Sequence, residues 1–406
     1  MSVLKMLGNL TPRWDMKLVV VGFGQCGCNI ADAFYAINSY AKSIFNRRIE
    51  ILTDVFAVNT DEADLGGFRH IPKDKGHRIL IGAMKTFGHG VGKINVDAAQ
   101  IIKDSHAVVT DTVLRSQQFH EADAIMAIAS GGGGTGSGTI GWAIKELKER
   151  TDKPVYALIA LPFGFEEQGD TSYALMNTAI CLNTVTQYAD AVFLIDNERF
   201  RKAESSLSDN LKYINSETVQ NFYDLWCAGE ERNPKYVGSK VLDGGDIKQS
   251  LDGITSVGRG QVNLSTFSRW KRADFREGVR ERSAANGAVR QAENNLSLGI
   301  EMDDVRKTLA LISGPKDVLN IAMLEEITGF LQERTPKAVI RMGDYPRRAQ
   351  DISVTVVASQ ITQVDRLTGI FKKAEELFTR QKAINEETET KLKKLKQVGK
   401  NLPRLA

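Results

Sequence analysis

Residues 17–24 (KLVVVGFG) form a run of branched apolar side chains ending in glycine, which predicts a buried strand entering a turn. The apolar positions Ile30, Ala33, Phe34 and Ile37 then recur at helical spacing. A second strand is expected over 51–58 (ILTDVFAV), broken by Asn59-Thr60-Asp61, and a short one over 79–82 before the glycine-rich loop FGHGVGK. Residues 121–129 (EADAIMAIA) predict another strand, followed by GGGGTGSGT and a helix through Lys148. Runs at 154–161 and 190–195 complete a strand–helix–strand series. Strands alternating with helices, with loop chemistry at the strand ends, indicate an α/β fold with a doubly wound parallel sheet.

The rhythm then changes. A long helical, polar stretch over 205–235 leads to a region from about 255 in which 307–313, 337–342 and 351–358 read as strands around a helix at 318–333. That pattern predicts a smaller α+β domain with its own core. After Ile361 the chain reads as helical, with Val364, Leu367, Phe371, Ala374 and Phe378 as an apolar stripe, and ends in KLKKLKQVGKNLPRLA. No repeat of solenoid period is visible.

Composition narrows the class. The 406 residues are 42% apolar and 25% charged, enough for two or three soluble domains. No window reaches the roughly 18 to 20 apolar residues of a membrane span, and the N-terminus lacks a secretion-signal pattern. Four scattered cysteines make no disulfide framework, so a reducing cytoplasm is expected; the five histidines lack zinc-site spacing. Residues 371–406 hold ten Lys/Arg against five Asp/Glu, whereas the rest holds 43 against 45. Basicity is thus a property of the tail, and a nucleic-acid-binding core is not expected.

Two loops carry candidate chemistry. Gly22-Phe23-Gly24-Gln25-Cys26-Gly27 matches G-x-G-x-x-G between strand and helix, where backbone amides can approach a phosphate. By itself that pattern fits a nicotinamide dinucleotide site, with Asp54 or Asp61 on a ribose, or simply a tight turn. The loop Gly131-Gly132-Gly133-Gly134-Thr135-Gly136-Ser137-Gly138-Thr139 is far more specific. Its consecutive amides before a helix can curve around an anion, with Thr135 and Ser137 as hydroxyl donors. It lacks the Gly-Lys-Ser/Thr ending of the P-loop, so helix dipole, amides and a magnesium ion must compensate charge.

GGGGTGSGT, with GFGQCGCN upstream and AVNTDEADL between, resembles the tubulin/FtsZ superfamily of filament-forming GTPases over about residues 17–360. INSETVQNFYDLWCAGE and DGGDIKQSLDGITSVG look most like CetZ, its archaeal branch, whereas FLIDNERF is closer to tubulin than to FtsZ. The resemblance implies an N-terminal extension (1–16), a GTP-binding α/β domain (17–204) and a central helix with an acidic loop (205–254). A C-terminal α+β domain (255–362) and an amphipathic helix with a basic tail (363–406) would follow. It also implies GTP/GDP with Mg2+ held by the phosphates, a first phosphate loop of Gly24, Gln25 and Cys26, and Asn29 toward the nucleoside. Asn59, Thr60 and Asp61 would lie near phosphates and metal, and Gly90, Val91 and Gly92 would sense the γ-phosphate. The signature loop would be Gly132, Gly133, Gly134, Thr135, Gly136 and Ser137; Glu166 would contact ribose, and Asn197 and Asn215 would read the guanine edge.

Two positions depart from the family. Leu211 stands where an aromatic residue stacks on the base, so either Leu211 covers the base or Tyr213 or Phe200 substitutes. His89 between glycines is either an exposed loop residue or a phosphate contact. Asp243 and Asp246 in LDGGDI are either helix-terminus acids, worth about 0.3–1 kcal/mol each, or the carboxylates that polarise water at the next subunit's γ-phosphate. The second choice implies a head-to-tail homopolymer serving cell shape or division. The basic cluster Lys391–Lys396 could meet a membrane or protein partner, or be a solvated end. A nicotinamide-dependent oxidoreductase, or a nucleotide-binding filament protein with weak hydrolysis, are the alternative functions.

Overall fold

A computed structural model describes residues 16–169, 173–231, 233, 235–264 and 275–398, without the side chains of 275–282, 385, 396 and 398. The expected N-terminal extension, apart from Met16, and tail residues 399–406 lie outside the described residues. The chain runs β1 (Leu18–Phe23), α1 (Gly24–Lys42), β2 (Leu52–Asn59), α2 (Glu62–Gly66), β3 (Arg78–Leu80), α3 (Ala83–Thr86) and α4 (Asn95–Leu114). Next come β4 (Ala124–Ser130), α5 (Thr135–Arg150), β5 (Val155–Leu161), α6 (Tyr173–Tyr188), β6 (Ala191–Asp196) and α7 (Leu207–Glu230). Then follow α8 (Gly244–Ser250), β7 (Gly253–Asn263), α9 (Phe275–Asn294), β8 (Lys307–Gly314) and α10 (Ile321–Arg334). Strands β9 (Val339–Pro346) and β10 (Asp351–Ile361) precede the long α11 (Asp365–Val398).

The strands form one sheet in the order β3-β2-β1-β4-β5-β6-β7-β10-β8-β9, parallel from β3 through β7, with β10 antiparallel to both its neighbours. Successive β1 residues alternate between two cores: Leu18 and Val20 face the α1/α7 side, Val19, Val21 and Phe23 the other. Chain order reverses between β1 and β4, which is where a doubly wound sheet opens a crevice at its carboxyl edge.

The C-terminal region has a core of its own, in which Ala288 and Ala292 of α9 and Ile327 of α10 meet Ile352, Val354 and Val356 of β10. Its sheet is nonetheless continuous with the first through Ala191↔Gly253, Val192↔Ile254 and Phe193↔Thr255. Behind α7, Asp224 is 2% exposed and accepts from Arg47 at 2.6 Å and from Ser353 Oγ at 2.9 Å, with Arg259 at 3.5 Å. Arg47 lies over the rings of Tyr223 and Tyr345, 4.5 and 5.0 Å from their centroids. This cluster joins the loop after α1 to α7, β7, β9 and β10.

Helix α11 packs by a stripe rotated from the expected one. Val364, Ile370 and Ala374 are buried and Leu367 and Leu377 partly so, whereas Phe371 and Phe378 are 40% and 65% exposed. Both stripes have helical spacing; Ile370 and Leu377 reach the body while the bulkier rings one position on face outward. Among the described residues, no helix is long and apolar enough to cross a membrane.

Candidate functional site

Two helices begin at the crevice between β1 and β4. Neither α1 nor α5 has a side-chain cap or an acidic residue in its first turn, so their leading amides are left for an outside acceptor. They start almost in contact: a Cβ on Gly24, whose φ is +68°, would stand 2.8 Å from the Gly136 nitrogen. Only glycine permits both that backbone angle and that approach. Asn177 reinforces the arrangement from behind, donating to the carbonyls of Lys93 (2.9 Å) and Gly133 (3.2 Å) and so engaging carbonyl dipoles that an anion would avoid.

The resulting cleft, about 310 Å3, is lined by Gly24, Gln25 and Cys26 from the first loop and Asn59 and Asp61 from the second. Gly90, Val91 and Gly92, then Gly132, Gly133, Gly134, Thr135 and Gly136, and finally Glu166 complete the expected residues on its wall. Thr60 is fully buried beneath it and shares a 2.7 Å hydrogen bond with Thr135 Oγ1. The second and third loops are joined by backbone bonds from Gly90 N–H to Thr60 (3.2 Å) and Glu62 N–H to Gly88 (3.0 Å). Ser137 departs from expectation: its hydroxyl donates to the Gly133 carbonyl, and the residue lines a groove among α4, α5 and α6, because a helical serine bonds back one turn. His89 is exposed and outside this lining, bridged through its backbone to Asp61.

A second cleft of about 970 Å3 lies between α1 and α7 and is lined by Asn29, Leu211 and Asn215. Of the three candidates for covering a base, Leu211 is the one on this wall. Tyr213 instead lies under the Lys202 ammonium, 3.2 Å from its centroid, and Phe200 packs against the core. Asn197, 6% exposed, lines neither cleft.

Several residues here were not anticipated. Lys93 and Asp64 line the first cleft, and Asp64 is held by Gln25 (3.0 Å) and Asn59 (3.2 Å). Burial, followed by repulsion from Asp61, raises the Asp64 pKa. Burial, then the Glu166 charge, pushes the Cys26 thiol up to about 12, so it is a wall and not a nucleophile at neutral pH. Among the described residues, no cluster of three or more His, Cys, Asp or Glu could hold a metal by protein ligands alone.

The two acids of LDGGDI sit at the other edge of the sheet. Asp243 caps α8, accepting from the Asp246 N–H at 2.9 Å, and Asp246 faces Arg341 at 3.5 Å. Lys248 of the same helix pairs with Asp123, just before β4, whose far end opens the glycine loop. The seven residues of β4 separate these ends by about 23 Å. No movement within one folded chain brings Asp246 to its own glycine loop.

Residues 17–204 match the Tubulin/FtsZ family GTPase domain, and residues 204–376 match the C-terminal domain of tubulin-like CetZ. Tubulin-like protein CetZ1 of Haloferax volcanii is 32% identical over 368 residues, covering 87% of this chain and 90% of the relative. The chain belongs to the CetZ branch of the tubulin/FtsZ family. Pyrococcus furiosus CetZ is 27% identical over 389 residues, covering 94% of this chain and 95% of the relative. The solved GDP-bound monomer of Haloferax volcanii CetZ1 aligns at TM-score 0.75 with 29% identity, over 89% of this chain and 99% of that one. A GTPγS-bound protofilament of CetZ2 from the same organism aligns at 0.76 with 26% identity, over 90% and 100%. CetZ membership removes the oxidoreductase alternative: the G-x-G-x-x-G turn is the first of several loops around one cleft, not a dinucleotide fingerprint.

Proposed function

We propose that this CetZ-family cytoskeletal GTPase binds GTP across the two clefts, phosphates at the paired helix starts and base between α1 and α7, and polymerises head to tail. Asn29 and Asn215 face the nucleoside; Leu211 covers the base by apolar contact alone. Asp61, with Asp64 beside it, would face a Mg2+ brought in with the phosphates, and that ion would supply charge neutralisation there. Asp246 of the next subunit orients the attacking water, while Asp243 holds the helix turn that presents it. The observation that carries this reading is the placement of acids and glycine loops at opposite edges of the sheet. Each chain offers two different half-sites, and such a heterologous contact propagates into an open filament. The role is in cell shape, and the location cytoplasmic, in keeping with four free cysteines.

Asp246→Ala tests the reading: the variant is expected to bind GTP normally, to pellet as polymer and to release phosphate slowly. Release at the wild-type rate would remove Asp246 from the mechanism. We further assign the basic end of α11 to an anionic lipid surface, since Leu392 and Leu395, 50% and 73% exposed, alternate with Lys391, Lys393 and Lys394. Each lysine near such a surface contributes about 1 kcal/mol. Co-sedimentation of a chain lacking 385–406 with anionic vesicles decides this.

A further inference from the structure

The acidic loop is anchored by its own Asp243 cap and by Leu242 and Ile247, which are buried in the main core. One stretch of β9 holds it from the C-terminal side. Asp344 accepts the N–H groups of Ser239 (2.9 Å) and Lys240 (2.6 Å), and its own N–H donates to the Lys240 carbonyl at 3.0 Å. At Gly343 a Cβ would stand 2.6 Å from Leu242 Cγ, so the strand approaches the loop closely at that point. Two residues earlier, Arg341 spans two positions of α8 on the same helical face. Its Nη2 donates to Gln249 Oε1 at 2.8 Å, while its Nε lies 3.5 Å from Asp246 Oδ1. The Arg341 and Asp246 side chains are 25% and 40% exposed, so the pair stands at the surface and remains reachable by another molecule.

We propose that Arg341 is a positioning residue for GTP hydrolysis, acting through Asp246; this rests on Asp246 being the acid that serves the neighbour's nucleotide. A planar guanidinium tied at Gln249 limits how Asp246 can turn, which an ammonium on a flexible stem does less well. It also places a fixed positive charge beside a carboxylate that must approach a polyphosphate. Without that cation, Asp246 would approach like charge with its paired guanidinium removed. Arg341 therefore sets the aim of the acid and reduces the repulsion of docking, from a different strand and some 95 residues further along the chain.

The test compares wild type, Arg341→Ala, Arg341→Lys and Asp246→Ala. Phosphate release is measured per polymerised subunit, with polymer mass from sedimentation; GTP affinity is measured on dilute chains with a fluorescent GTP analogue. Arg341→Ala is expected to lose turnover by about tenfold or more, the scale of a misplaced catalytic group, with monomer affinity unchanged. Arg341→Lys should recover much of that loss, and added guanidinium ion should raise the rate of the alanine variant without raising that of wild type. Three results would overturn the assignment. Wild-type turnover in Arg341→Ala with Asp246→Ala inactive leaves the acid in place and removes the arginine. A fall in turnover matched by lost GTP affinity and lost near-ultraviolet circular dichroism makes Arg341 merely structural. Wild-type turnover in Asp246→Ala removes the acid itself, so failure of that reading is distinguishable.

Discussion

Asp224 is enclosed by Arg47, Arg259 and Arg347 and by the hydroxyl of Ser353. Burial alone would raise its pKa, but the guanidinium groups outweigh it and hold the carboxyl well below the usual carboxylate range. Asp224→Asn leaves clustered guanidinium groups uncompensated at the junction of α7 with the C-terminal strands. Urea unfolding at neutral pH should show a loss of about 3–5 kcal/mol. Because the folded-state pKa is depressed, the stabilisation is complete above about pH 4 and drains as pH falls through the folded value, so the gap between wild type and variant should close in acid. Residues of this kind were invisible in the sequence, since Arg47, Asp224 and Arg347 share no spacing. The glycine loops were legible for the opposite reason. A φ of +68° at Gly24 can be satisfied by very few residue types, so geometry is written directly into composition. Asn177 and Arg341 lie outside such loops and carry no comparable mark.

Among the elements, the parallel strands β1, β2, β4, β5 and β6 could be read as apolar runs because both their faces are covered. Strand β7 and helix α9 could not. GITSVGRGQVN is interrupted by Gly258 and Gly260, and a Cβ on either would collide with carbonyls of Ala292 and Ala288. The glycines and the facing alanines exist so that helix and strand can approach closely, and they remove the bulky residues by which both would be recognised. Helix α11 was legible as amphipathic, but two overlapping apolar stripes at helical spacing cannot be ranked without the body they pack on. Phe378, Ile384, Leu392 and Leu395 remain 50–73% exposed along it. Removing 385–406 should abolish co-sedimentation with anionic vesicles while leaving GTP turnover intact; unchanged co-sedimentation would remove the lipid assignment.

Across the whole molecule, the proposed division of the catalytic centre between opposite edges makes complementation possible. Gly133→Asp places a negative charge in the anion cleft, where a Cβ meets nothing within 4 Å, so the fold should survive while phosphate is repelled. Asp246→Ala keeps the cleft and loses the acid. Neither variant alone should release phosphate at more than a trace rate, yet in a mixed polymer about a quarter of random junctions join an intact cleft to an intact acid. Phosphate release from the co-sedimented mixture should therefore exceed that of either variant. Absence of any recovery in a mixture that does co-polymerise would overturn the proposed division of labour between neighbours.

Under the proposed action of Asp246 on the neighbouring subunit's nucleotide, its separation from the glycine loops also fixes what happens at the extremities of a finite strand. One terminal subunit holds a nucleotide that no neighbour can attack, and the other extends a carboxylate with nothing to act on. A dimer carries a single working junction for two bound triphosphates, whereas a long strand approaches one per molecule. Consumption per subunit consequently grows with length, and the last unspent triphosphate always rests at the same pole, giving the strand a chemical direction as well as a geometric one.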